Sequence, residues 1–205
     1  MIAVSVGLIV LAPLFVLVAI LIRADSPGPA FFRQERIGRG FRPFWMYKFR
    51  TMVKDASQKG GPLTASGDPR ITRLGRILRQ LKIDELPQLI NILRGDMSLV
   101  GPRPEVRKYV ELFRKNYETI LAVRPGLTDP ASLKYRDESA ILARSKDPER
   151  EYIQRILPDK LRLAEEYVRQ SSLAFDLVLI LKTILAVISS RYAGKGTIAE
   201  ESSSH

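Results

Sequence analysis

The first 22 residues carry no charged side chain, and Pro13 stands in the middle of them. An apolar run of that length has to be buried in lipid or in protein. Three forms compete. A cleaved signal is disfavoured, because no basic residue precedes the run and no small-residue cleavage site ends it before Arg23-Ala24-Asp25. A simple spanning anchor is the plain reading. The third form turns on Pro13, which lacks an N–H and whose ring clashes with the carbonyl four residues back, so a helix through it kinks. The pieces on either side, roughly 12 and 9 residues, rise about 1.5 Å per residue, so neither crosses a hydrocarbon core of about 30 Å. A bent helix can therefore enter and leave by one face, although kinked helices also span membranes. Arg23, Arg33, Arg36, Arg39 and Arg42 follow closely. Positive flanks stay cytoplasmic, which puts the remainder of the chain at the cytosolic face.

Charge narrows the reading. The net charge of +11 comes from 33 basic and 22 acidic residues, and the excess lies in residues 23–136. A chain of 205 residues allows one ordinary domain beside the helix, and its charge density excludes a polytopic membrane protein. The absence of cysteine excludes a disulfide scaffold and thiolate or Cys-metal chemistry. His205, at the extreme end, is the only histidine. Any acid, base or nucleophile must come from Asp, Glu, Lys, Ser, Thr or Tyr.

The pattern beyond the helix predicts an α+β fold, mainly α. Its parts are a membrane segment over 1–23, a cytosolic membrane-associated catalytic domain over 24–192 and a disordered polar tail over 193–205. Ala30 to Met52 alternates aromatic and polar residues around Gly38-Arg39-Gly40, which predicts a hairpin. Residues 53–69 read as a loop. Ile71, Leu74, Leu78 and Leu81 recur at helical spacing over 70–82, interleaved with Arg70, Arg73, Arg76, Arg79 and Lys82. That amphipathic helix either meets anionic headgroups through Arg70, Arg73 and Arg76 or packs on the core with a solvated basic face. Further helices are predicted over 85–94, over 104–118, over 148–169 with a break at Pro158, and over 173–189 as a core or interface helix.

Three strings carry candidate chemistry. In Lys82-Ile83-Asp84-Glu85-Leu86-Pro87-Gln88-Leu89, Pro87 should end one helix near Ile83 and open another, making Asp84 an N-cap candidate. A helix N-terminus would favour phosphate nearby and keep a carboxylate ionised. Asp84 and Glu85 are then either simple caps or a nucleophile and a metal ligand. In Gly101-Pro102-Arg103-Pro104, two prolines stiffen the turn carrying Arg103. It is either an ordinary turn or a mount for bidentate phosphate binding. The third string, Arg124-Pro125-Gly126-Leu127-Thr128, reads as a turn and is followed by Arg136, another candidate anion ligand. Neither a P-loop nor a Rossmann fingerprint is present.

Taken in order, these strings resemble the bacterial sugar transferase family, the monotopic phosphoglycosyl transferases. The resemblance is carried by the apolar start with its central proline, Tyr47-Lys48-Phe49-Arg50-Thr51-Met52, Arg79 five residues before Asp84-Glu85, the run from Asp84 to Pro104, and Arg124-Pro125-Gly126-Leu127-Thr128. It implies transfer of a phosphosugar from a UDP-sugar to polyprenol (undecaprenyl) phosphate at the cytoplasmic face of a bacterial inner membrane, with release of UMP. It further implies Asp84 as nucleophile, Glu85 as ligand of Mg2+, and Lys48, Arg79, Arg103 and Arg136 near phosphates. Pro87, Pro102 and Pro104 would shape the site, and a re-entrant helix would bend at Pro13. Membrane lipids become partners and homo-oligomers stay open.

The chain departs from the family pattern in places. Ala12 stands where a serine commonly precedes the kink proline, and Asp129-Pro130 follows Thr128 in place of a Gly-Trp pair. The basic-aromatic segment that usually precedes the helix is missing, so a start upstream of Met1 is open. An acidic residue expected near Ala164 is not apparent. A membrane-tethered nucleic-acid or lipid binder is the competing class. It has no use for Asp84-Glu85 among prolines and arginines, so no nucleic-acid partner is expected. An inactive scaffold is disfavoured by the intact motifs.

Overall fold

The computed structural model describes residues 2–201 apart from Ser57 and Pro62, with side chains described from Val4 to Val187. The fold is α+β and mainly helical, with a small antiparallel hairpin and an apolar N-terminal helix. That helix, α1 (Ile2–Asp25), is continuous through Pro13. It does not stand clear of the domain. Val4, Leu8, Leu11, Phe15, Val18 and Ile22 recur every three or four residues and are buried or half-buried, while Val6, Ile9, Val10, Val16, Leu17, Ile20 and Leu21 form an exposed apolar face. Val4 and Leu8 share a cluster with Met46, Ile92 and Met97, and Val18 and Ile22 share one with Phe49 and Leu78. Both ends of α1 therefore pack against the same domain.

The hairpin forms as the aromatic pattern and glycine turn predict. Strands β1 (Phe31–Ile37) and β2 (Pro43–Phe49) pair antiparallel with Phe31 opposite Phe49 and Phe32 opposite Lys48. Gly40, at φ 64°, and Phe41, at φ 60°, supply two left-handed residues of the turn. Phe49 is 1% exposed and lies 5.2 Å from both Phe15 and Phe31, so an aromatic stack ties the hairpin to α1. Burying such a ring contributes about 1.5–3 kcal/mol, with about 0.5–1.5 kcal/mol more from ring geometry. Arg50 closes the same junction. Its guanidinium donates to the carbonyls of Ser26 and Pro27, both at 2.6 Å, where α1 has run out of internal partners. Gly28 makes room for it: φ is 124°, and a Cβ there would lie 2.1 Å from Arg50 Nη1.

The helical part follows: α2 (Arg73–Gln80), α3 (Gln88–Arg94), strand β3 (Ser98–Val100), α4 (Arg107–Leu112), α5 (Arg114–Ile120) and strand β4 (Gly126–Thr128). The order continues with α6 (Pro130–Lys134), α7 (Glu138–Ala143), α8 (Pro148–Glu151), α9 (Leu157–Gln170) and α10 (Leu173–Glu201). The main core gathers Ile37, Tyr109, Val110, Tyr117, Ile120, Leu142, Ile156 and Leu161.

Several boundaries differ from the sequence reading. The helix predicted over 104–118 starts later and divides at Phe113, because Glu105 bridges Ile37 as extended backbone. The break expected near Pro158 takes the form of a π-helical turn over Tyr152–Ile156; a wider turn accommodates the donor that proline lacks. The turn predicted at Arg124-Pro125-Gly126 leads into β4, which pairs in parallel with β3. Gly126 is needed there, since a Cβ would sit 2.1 Å from Gly101 N. Helix α10 packs on β3, β4 and α6, with Leu179 buried and Thr183 Oγ1 2.7 Å from Thr128 Oγ1. Its backbone is helical through Glu201, where the sequence reading places most of the polar tail; residues 202–205 lie outside the described residues.

Candidate active site

The site is built where α2 gives way to α3. Thr72 caps α2, its side chain accepting from Gly75 N–H at 3.0 Å, and the helix ends at Leu81. Lys82 then adopts the left-handed conformation, φ 56°, and turns the chain into a 3-10 segment over Ile83–Glu85. Asp84 is thus not the helix N-cap that the sequence pattern suggests. It sits inside the short turn, and Pro87 occupies the position before α3, with φ near its fixed value. Asp84 is 6% exposed, and its Oδ1 is buried without a hydrogen-bond partner.

Glu85 is the hub. Lys48 Nζ donates to its Oε1 at 3.0 Å, and Arg103 donates to both oxygens in a fork, with Nη1 3.2 Å from Oε2. The Pro102-Arg103-Pro104 turn therefore delivers its guanidinium to Glu85. Lys48 comes from the middle of the hairpin. Asn91 holds that hairpin in place: wholly buried, it accepts from Tyr47 N–H at 3.0 Å and donates to Trp45 O at 2.7 Å. The amide serves the edge of β2 as another strand would and fixes α3 against it.

The two neighbouring carboxyls are driven in opposite directions. Burial works against ionised Glu85, but Arg103 and Lys48 outweigh it and hold the group well below the usual carboxylate range. Burial pushes Asp84 up, Lys48 opposes this, and Glu85 adds to it. Burial also lowers Lys48, partly offset by Glu85. The result is a firmly ionised, twice-paired Glu85 beside an Asp84 with an oxygen left open.

The remaining sequence candidates divide. Arg79 is half-buried, its Nε donating to Thr51 Oγ1 at 2.8 Å, and it faces the same carboxylates electrostatically. Arg136, in the turn between α6 and α7, has a buried Nη2 without a partner, and among the described residues no hydrogen bond joins it to Asp84, Glu85 or Arg103. Arg73 and Arg76 lie on the exposed face of α2 beside half-exposed Ile77. Arg70 lies before α2, not on that face. It forks onto Asp68, with Nη2 at 2.7 Å, and donates to the carbonyls of Ala56, Gly61 and Leu63.

Residues the sequence reading assigned no role matter as well. Asn91 was visible as a lone amide among Leu89, Ile90, Ile92 and Leu93. Gly75 gave no signal. It lets α2 lie against the chain after β2, and a Cβ there would be 2.1 Å from Thr51 O. Gly75→Ala should therefore cost about 3 kcal/mol and lower the thermal midpoint, while drawing Arg79 off Thr51. An unchanged midpoint would show that α2 yields freely.

A hard divalent cation is compatible with this donor set. Mg2+ takes one or two carboxylates and completes its shell with substrate phosphates and water. Asp84 Oδ1 is open, and Glu85 lies next to it. Among the described residues no group of three or more acidic or histidine side chains could hold a metal alone.

The chain is similar to known proteins over most of its length. Residues 1–190 match the bacterial sugar transferase family. The chain is 38% identical over 181 residues to a UDP-N-acetylgalactosamine-undecaprenyl-phosphate N-acetylgalactosaminephosphotransferase of Aeromonas hydrophila, covering 87% of this chain and 40% of that protein. It is 42% identical over 187 residues to a UDP-glucose:undecaprenyl-phosphate glucose-1-phosphate transferase of Caulobacter vibrioides, covering 87% of this chain and 64% of the relative. It is 38% identical over 200 residues to the exopolysaccharide production protein ExoY of Sinorhizobium fredii, covering 90% and 81%. The chain thus spans less than two thirds of the Aeromonas and Caulobacter proteins.

Proposed function

The chain belongs to the bacterial sugar transferase family, and from that premise we propose that it moves a sugar 1-phosphate from a UDP-sugar to undecaprenyl phosphate, opening the assembly of a lipid-linked polysaccharide. The observation that carries the reading is the pairing of an open, buried Asp84 oxygen with Glu85 clamped by Lys48 and Arg103. The named activities of the relatives support the substrate classes.

In this reading a carboxylate oxygen of Asp84 attacks the β-phosphorus of the UDP-sugar. A bond forms from oxygen to phosphorus, and the bond to the bridging oxygen breaks, so UMP leaves. A phosphate oxygen of the polyprenyl acceptor then attacks the same phosphorus and releases Asp84 as carboxylate. Dividing the displacement in two keeps the two anionic substrates from having to meet in one transition state. Arg103 and Lys48 can turn from Glu85 towards phosphate oxygens, where charge-assisted hydrogen bonds stabilise developing charge. Arg79 adds positive potential beside Asp84. Magnesium, bound through Asp84 or Glu85, would supply further neutralisation of the diphosphate. UMP release from a panel of UDP-sugars, with Mg2+ and a short polyprenyl phosphate, tests the activity and names the sugar; no release from any of them would refute it.

We further propose that α1 sits in the cytoplasmic leaflet of the inner membrane as a re-entrant element. The packing of both Val4 and Ile22 on one domain supports this. The exposed face of α1 would meet lipid tails, and Arg73 and Arg76 would meet headgroups. The chain has no cysteine of its own, so Ser5→Cys and Asp25→Cys each introduce a single label site. Both should react with an impermeant maleimide from the cytoplasmic side; protection of Ser5→Cys on that side, with labelling from the other, would establish a spanning helix.

A further inference from the structure

Asp129 is acidic, 1% exposed and outside the groups that touch substrate in the reading above. Its Oδ1 accepts from Ser132 N–H at 2.7 Å and so caps α6. Its Oδ2 accepts from the main-chain N–H of Arg103 at 3.3 Å. The cap alone does not call for a carboxylate, since Ser, Thr or Asn would serve. The second oxygen does something a hydroxyl cannot: it reaches the turn that carries the guanidinium.

The other side of that turn is anchored through Arg36 and Glu105. Glu105 accepts from Arg36 Nη1 at 2.7 Å, from Val106 N–H at 2.8 Å and from Tyr152 Oη at 2.5 Å. Arg36 also donates to Pro104 O at 3.3 Å. Asp129 thus holds the Pro102-Arg103-Pro104 turn at the Arg103 N–H, and Arg36, paired with Glu105, holds it at Pro104 O, while the Arg103 guanidinium reaches Glu85. The backbone is held on both sides, and among the described residues the guanidinium is hydrogen-bonded to Glu85 alone. A fork on a fixed mount loses little freedom when it moves from a carboxylate to a phosphate.

We infer that Asp129 is a positioning residue, which ties the start of α6 to the Arg103 turn and so sets where the guanidinium meets the diphosphate of the UDP-sugar. The inference rests on the proposed activity. Asp129→Ser separates the two duties of the side chain, because serine keeps the cap and gives up the contact with Arg103. On the full chain in lipid nanodiscs, the variant should keep a thermal midpoint close to wild type. Its KM for UDP-sugar should rise about tenfold, the scale of one lost hydrogen bond to a charged group. Combined with Arg103→Lys, it should cost less than the two single losses together, because both act through one guanidinium. Thermal stabilisation by inorganic pyrophosphate, which needs no turnover, should shrink in parallel.

Wild-type KM and an undiminished pyrophosphate effect in Asp129→Ser would overturn the inference. So would losses that add in full with Arg103→Lys. A wild-type chain that released no UMP would instead sink the activity reading, and the pyrophosphate measurement would still decide the role of Asp129.

Discussion

Asp84→Asn is expected to abolish UMP release, by a factor on the order of 10^4 or more, as when a covalent nucleophile is removed. No phosphosugar label should remain on the protein. The substitution keeps the shape of the side chain, so the loss cannot be assigned to collapse of the turn over Ile83–Glu85. Stability should point the other way. A carboxyl raised by burial costs the fold stability at pH values above its unfolded pKa of about 4, and asparagine removes that cost. The variant should therefore unfold no earlier than wild type at neutral pH, apart from what Lys48 loses. The same shift sets the acid limb of the wild-type rate. As pH falls through the raised value, Asp84 should gain a proton and lose the nucleophilic role proposed for it, while Glu85 stays ionised. The limb should therefore lie above about pH 4, and its absence in a slow residual Asp84→Asn reaction would assign it to this residue. A variant with normal turnover would remove Asp84 from the chemistry.

Arg103→Lys should lower kcat/KM for UDP-sugar by about 10^2-fold, although the charge is conserved. Arg103 forks onto both oxygens of Glu85 from a stiff turn; an ammonium replaces that planar fork with a point charge on a flexible stem. The pH dependence of stability should change as well. Arg103 is the first of the charges that depress Glu85. A depressed carboxyl contributes stability above its unfolded pKa of about 4.3 that is lost as pH falls through the folded value. With lysine the folded value moves up, so acid unfolding should begin at higher pH. An unchanged kcat/KM would show that charge alone suffices at this position and would remove the bidentate role.

The sequence showed the ingredients of the site more clearly than their assembly. Asp84-Glu85 and the proline-flanked Arg103 stood out as candidates, but on residue type alone each read equally as an ordinary cap or turn, and the family resemblance was what pointed to chemistry. The hairpin was visible because aromatic alternation and glycine turns are local signals. The contact of Lys48 with Glu85 was not visible, since it depends on Asn91 joining β2 to α3 across 44 residues of chain. Strands β3 and β4, three residues each, are too short to display a period. Asp84 looked like an N-cap because Pro87 marks a helix start; the left-handed turn at Lys82 moved it inside the chain reversal, and nothing about lysine announces φ above zero. Asp129 and Gly75 act through close approaches that only the folded chain creates.

The stripe by which α1 lies along the domain bears on how the chain can be handled. Val18 and Ile22 complete the apolar cluster that holds Phe49 and Leu78, and Val4 completes the one around Met46 and Ile92. Deleting residues 1–25 would not release a soluble catalytic fragment. It would open two cores beneath the hairpin that carries Lys48, so α1 and the candidate site belong to one folding unit.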